Sequence, residues 1–182
     1  MVLHPAVIPA NLVPFDQAFD TYYPAIFRYF RYRGADADTA NDLASSVFEK
    51  ALSNLRRYDP RKGQIQTWLF AIAHNLAINH WKAGQAHPMA SLDDLDLLTQ
   101  DDPPPEQVLI LVQDKEQVLQ ALQVLDSRSV EIIALKFGGG LTNRQIAGLV
   151  HLSESNVGVI LYRSLLKLRA ILASSQAEVR HE

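Results

Sequence analysis

The sequence predicts an all-α fold of two small helical domains joined by an acidic flexible linker, the second carrying a helix-turn-helix. Three observations predict it. Apolar residues recur at helical spacing on both sides of the chain's middle. That pattern breaks over residues 84–105, which hold Gly84, Pro88 and the run DDPPP. The stretch from Leu141 to Leu172 then reads as two capped helices around a tight turn.

The first fourteen residues, MVLHPAVIPANLVP, lack a basic start and contain three prolines, so they read as a flexible leader rather than a signal peptide. Over 15–32, Phe15, Phe19, Tyr22, Ile26 and Phe30 fall near helical spacing, with Pro24 a local kink and Gly34 the stop. A helix over 35–54 follows, with an unbroken stripe of Ala40, Leu43, Ala44, Val47, Phe48, Ala51, Leu52 and Leu55. Its other side, with Asp42, Ser45, Ser46, Glu49 and Lys50, reads as solvated surface or as a docking face for a partner.

Next comes RRYDPRKG, residues 56–63, in which four of eight residues are basic and Asp59-Pro60 and Gly63 signal turns. A helix over 64–82 is expected to bury Ile65, Trp68, Leu69, Ile72 and Leu76. Gln66, Thr67, Phe70, His74, Asn75 and Trp81 are expected to be exposed. Cations beside rings and amides suit single-stranded DNA, whose backbone follows positive charge and whose bases stack on aromatics. A solvated loop beside core aromatics explains the same residues, so this loop alone does not establish nucleic-acid binding.

The expected organisation is a leader over 1–14, a first domain over 15–83, and a linker with the start of the next helix over 84–113. A second domain over 114–175 and a tail over 176–182 complete it. Helicity resumes at Glu106, and a shorter helix carries Val130, Ile133, Ala134 and Phe137 before Gly138-Gly139-Gly140 ends it. In the motif that follows, Thr142 and Gln145 form a T-x-x-Q capping box, and the chain turns at His151-Leu152. Ser153 caps the second helix. That helix buries Val157, Ile160, Leu161, Leu165, Leu168 and Leu172. Its outer side carries Ser155, Asn156, Gly158, Val159, Tyr162, Arg163 and Lys167, and no acid occurs between Ser155 and Ala177. A second helix of this kind enters the DNA major groove with its N-terminal residues against base edges.

Net charge is −3 and the isoelectric point about 6.1, unpromising totals for a DNA binder. Distribution matters more. Six acids (Asp93, Asp94, Asp96, Asp101, Asp102, Glu106) lie between Gly84 and Gln113 with no Lys or Arg; without them 14 acids face 17 basic residues. The chain has no cysteine, which excludes disulfides and thiolate metal sites and fits a reducing, cytoplasmic location. No apolar run is long enough to span a membrane.

Catalytic and metal patterns fail. His4, His74, His80, His87, His151 and His181 form no H-x-x-x-H or H-E-x-x-H pair, and Gly138–Gly140 precede no Gly-Lys-Ser/Thr. No catalytic residue, metal or cofactor is expected.

Together these residues resemble a bacterial RNA polymerase sigma factor of the extracytoplasmic-function group. DLASSVFEKAL (42–52) with YDP and QTWLFAIAHNLAINHWK (58–82) resembles region 2. LDSRSVEIIALKF and GLTNRQIAGLVHLSESNVGVILYRSLLKLR (125–169) resembles region 4. The resemblance implies core RNA polymerase and promoter DNA as partners, and admits an anti-sigma factor. It implies that Ser155, Asn156, Gly158, Val159, Tyr162, Arg163 and Lys167 face the −35 element. The unpaired −10 strand falls to Arg56, Arg57, Tyr58, Arg61, Lys62, Gly63, Gln64, Gln66, Thr67, His74 and Asn75. Asp42, Ser45, Ser46, Glu49 and Lys50 would dock on the polymerase clamp, and the acidic linker would thread the enzyme's interior. The chain departs from the family at Ser45-Ser46, where an acid is usual, and at Gly158 and Val159, where basic and hydroxylic residues are common. The competing reading is a free-standing helix-turn-helix regulator with a dimerising or sensing N-terminal domain. It leaves the 56–68 loop and the acidic linker unexplained.

Overall fold

The computed structural model describes residues 15–83 and 115–179. The leader, residues 84–114 with the acidic linker, and the last three residues lie outside the described residues.

Three helices make the first unit: α1 (Phe15–Tyr32), α2 (Ala37–Ser53) and α3 (Ile65–Ala83). Gly34, at φ 96°, ends α1 in a left-handed conformation that favours glycine, and Ala35 N–H closes the stop by donating to Phe30 O. Asp36 then caps α2 by accepting from Thr39 N–H at 2.7 Å. That bond holds the Asp36 carboxyl below the usual carboxylate range. The helix accordingly begins at Ala37 rather than 35. Ala40, Ala44, Val47, Phe48 and Ala51 are buried in the expected stripe, but Leu52 is 58% exposed at its end.

The second unit comprises α4 (Lys115–Leu122), α5 (Ser127–Ile133), α6 (Asn143–Val150) and α7 (Glu154–Val179). Between α5 and α6 the helix widens into a π-helical turn over Ala134–Gly138. Gly139 N–H donates to Ala134 O and Gly140 N–H to Lys136 O, and Gly140, at φ 68°, releases the chain toward α6. Asp126 caps α5 by accepting from Arg128 and Ser129 N–H. α7 packs against α4, α5 and α6, burying Val157, Leu161, Leu165, Leu168 and Leu172.

The two units pack on one another and share one apolar core. α1 meets the π-helical turn and α4, and α3 meets α6. This corrects the expected exposed side of α3. Phe70 is 0% exposed, Gln66, Thr67 and His74 are half-buried, and Trp81 is packed against the core; of that set only Asn75 stays exposed. Two helical segments were expected, but not their joint core.

Candidate nucleic-acid interface

The helix-turn-helix is built as its local chemistry dictates. Thr142 Oγ1 accepts from Gln145 N–H (3.3 Å) while Gln145 Oε1 accepts from Thr142 N–H (2.9 Å), a closed capping box. His151 adopts the left-handed conformation at φ 56° and Leu152 N–H donates back to Ala147 O, which ends α6 sharply. Ser153 Oγ accepts from Asn156 N–H at 3.2 Å and starts α7. The buried side of α7 fixes its roll, so Ser155, Asn156, Val159, Tyr162 and Arg163 project outward as expected. Val159 is 47% exposed and Tyr162 37%, apolar surface left uncovered beside an arginine. Gly158 and Lys167 are half-buried at the edge of this surface.

The basic loop is also ordered. Leu55–Arg57 form one 3₁₀ turn, after which Tyr58 packs its ring on Trp68 (centroids 5.1 Å apart) and donates its hydroxyl to Gly63 O (3.1 Å). Burial raises the Tyr58 phenol above its ordinary value. Asp59 accepts from Arg61 N–H (3.0 Å), Nε (3.1 Å) and Nη2 (3.1 Å). These hydrogen bonds hold the Asp59 carboxyl below its ordinary value. The Arg61 side chain is nonetheless 89% exposed. Arg56, Arg57, Lys62, Gly63 and Gln64 are exposed with it. The result is a cationic rim above a Tyr58–Trp68 aromatic platform.

The remaining residues of the −10 set divide. Asn75 is free in solvent, whereas Gln64, Gln66, Thr67 and His74 contact the second unit. On α2, Asp42, Ser45, Glu49 and Lys50 are exposed and Ser46 half-buried, forming one continuous polar face.

The sequence reading missed Glu131. Its buried carboxylate accepts from Tyr29 Oη (2.8 Å) and lies 2.8 Å from Arg33 Nη1 and 2.9 Å from His74 Nδ1. Burial, reinforced by the Glu131 charge, pushes the Tyr29 phenol well above its ordinary value, so it remains a donor. Arg33 also donates to Ser127 O (3.1 Å) and lies 4.8 Å from the Trp81 ring centroid.

Residues 18–87 match the family model described as Sigma-70 region 2, and residues 115–168 match that of Sigma-70, region 4. The RNA polymerase sigma factor YlaC of Bacillus subtilis is 30% identical over 91% of this chain and 95% of its own length. The ECF RNA polymerase sigma factor SigX of the same organism is 27% identical over 85% and 81%. Among solved structures, the sigma factor RpoE of Bartonella quintana, in complex with the anti-sigma factor NepR, superposes with a TM-score of 0.65. That match has 20% identity over 87% of this chain and 96% of RpoE, a likeness of fold. With both region models in order and a relative matched over nearly its whole length, the chain belongs to the extracytoplasmic-function group of sigma-70 RNA polymerase sigma factors.

Proposed function

We propose that this chain binds core RNA polymerase and directs it to promoters whose −35 element α7 reads and whose melted −10 element the first unit holds. One observation carries the reading: the capped, rigidly seated N-terminal half of α7 presents Asn156, Val159, Tyr162 and Arg163 to solvent on a side free of acids. In the major groove, Asn156 offers an amide to a base edge, Val159 an apolar contact to a thymine methyl, and Arg163 a guanidinium to guanine or phosphate. Ser155, Tyr162 and Lys167 flank them as backbone contacts, and Gly158 leaves room for close approach.

The first unit takes the separated strand. Arg56, Arg57, Arg61 and Lys62 follow its phosphates, Tyr58 with Trp68 offers a stacking platform, and Gly63, Gln64, Gln66, Thr67, His74 and Asn75 line the continuation onto α3. The polar face of α2, with Asp42, Ser45, Ser46, Glu49 and Lys50, docks on polymerase. The chain is assigned as an initiation factor acting in the cytoplasm. No described helix is long and apolar enough to cross a membrane. An anti-sigma factor is a further partner class we assign, because the architecture shared with RpoE is one that accommodates such a factor.

Run-off transcription with core polymerase on selected promoter fragments tests the reading. Replacing Arg61 and Lys62 together by Ala is expected to impair strand opening, read by permanganate reactivity of unpaired thymines, more than closed-complex binding. Equal loss at both steps would reduce the loop to a nonspecific electrostatic contact.

A further inference from the structure

Asp59 is the one acid of the basic loop 56–63. It repels the phosphates that Arg56, Arg57, Arg61 and Lys62 are proposed to follow, so its place among them calls for a reason. The turn supplies one. Lys62 N–H donates to Asp59 O (3.0 Å) and Arg61 N–H to Asp59 Oδ1 (3.0 Å), so the backbone itself aims the carboxylate. That carboxylate then takes the side edge of the guanidinium: Arg61 Nε donates to Oδ1 and Nη2 to Oδ2, each at 3.1 Å.

The two side chains are unequally placed, Asp59 at 24% exposure and Arg61 at 89%. The acid is the fixed partner and the cation the one it steers. An ion pair with so exposed a member adds little to folding, which leaves placement as its use. A guanidinium carries five N–H groups in one plane. Asp59 engages one on Nε and one on Nη2, and the remaining hydrogens of Nη1 and Nη2 form the open end of the fork. That end fits a phosphate through two parallel bonds. Arg61 can therefore bridge Asp59 and a nucleotide at once.

We propose that Asp59 is a positioning residue for strand opening, holding Arg61 by its side edge so that the free end meets one phosphate of the unpaired −10 strand. This rests on the assignment of the loop to that strand. The arrangement favours placement over raw attraction. It lowers the loop's pull on any duplex while fixing one donor pair where a separated strand must pass.

Asp59→Asn keeps an acceptor for Arg61 N–H and removes the charge that holds the fork. With core polymerase, closed-complex binding is expected to tighten and its salt slope to steepen by up to about 0.9, one phosphate's share on duplex DNA. Strand opening, followed by permanganate reactivity of unpaired thymines, is expected to slow by about two- to fivefold, the range of an exposed pair. These opposite signs separate placement from other roles. Faster opening with tighter binding makes Asp59 a repulsive charge only, and overturns the proposal; unchanged opening overturns it as well. In an Arg61→Ala background, Asp59→Asn should slow opening no further, because it acts through Arg61. Equal slowing in both backgrounds assigns Asp59 to the turn's structure and overturns the positioning. Should Asp59→Asn lose helicity, Asp59→Ser, whose hydroxyl can still accept from Arg61 N–H, is measured through the same cycle. Arg61→Ala that opens promoters at the normal rate removes the loop from the strand and the proposal with it. Slowed opening by Arg61→Ala beside normal opening by Asp59→Asn overturns the positioning alone.

Discussion

At the scale of single residues, accessibility separates the two kinds of cation in this chain. Arg33 is spent internally: it pairs with Glu131, donates to Ser127 O and faces Trp81, and its Nε is buried without a hydrogen-bond partner. Removing one member of such a buried pair leaves an uncompensated charge, so its loss would be felt in packing before binding. Arg163 stands in solvent on a helix whose opposite side is fixed by Leu161, Leu165 and Leu168. Arg163→Ala is therefore expected to leave the melting curve almost unchanged. Affinity of the polymerase complex for the −35 element should fall by about 1–3 kcal/mol if the guanidinium reads a base. A uniform loss across all sequences with a shallower salt slope would instead place it on phosphate. Full −35 affinity together with normal melting would remove Arg163 from the interface.

Among the elements, α7 contains a glycine that its own fold does not require. A Cβ at Gly158 would meet only Asn143 Nδ2, at 3.8 Å, an ordinary contact, and its φ is not positive. Glycine inside a helix costs about 0.5–1 kcal/mol relative to alanine. Gly158→Ala should raise thermal stability by about that amount while weakening −35 binding by the polymerase complex, the signature of a position kept small for close approach to DNA. Higher stability with undiminished binding would free the position of that role. Local elements of this kind were legible in the sequence: the Thr142–Gln145 box and the Ser153 cap each depend on residues within a turn of one another, whereas the α1 stripe is fully buried only at Ile26 and Phe30, Phe19 being 39% exposed. α3 was half legible. It carries Ile65 and Leu69 on one side and Phe70, Ala73 and Ala77 on another, with no acid and a single lysine. A helix apolar on more than one side is buried on more than one side, yet Phe70 and Trp81 read equally well as exposed stacking rings. Glu131 was not legible at all. Its partners Tyr29 and His74 lie 102 and 57 positions away, and no local pattern in the run Val130-Glu131-Ile132-Ile133 distinguishes a shared acceptor from a surface acid.

For the molecule as a whole, charge and closure act in the same direction. A net charge of −3 leaves few phosphates that the free chain can neutralise, and each one neutralised contributes salt-dependent affinity. Six of the chain's acids lie within residues 84–113, with no Lys or Arg among them, and add negative charge that DNA repels. Contacts with Gln145, Glu131 and the Gly139 carbonyl also engage four residues of the proposed −10 set, Gln64, Gln66, Thr67 and His74. Polymerase would relieve all three limits by taking up the acidic segment, docking on α2 and holding the two units apart along the promoter. Two weak modules fixed at the correct separation then gain through effective concentration what neither has alone. The free chain is accordingly expected to bind promoter DNA poorly and with little sequence preference at physiological salt. Core polymerase should confer promoter-specific binding and strand opening. Mobility-shift assays with the chain alone and with core enzyme decide between this behaviour and that of a free-standing regulator. Nanomolar, palindrome-specific binding by the lone chain, unchanged by polymerase, would mean that the helix-turn-helix works without the enzyme and that the closed arrangement does not restrain it.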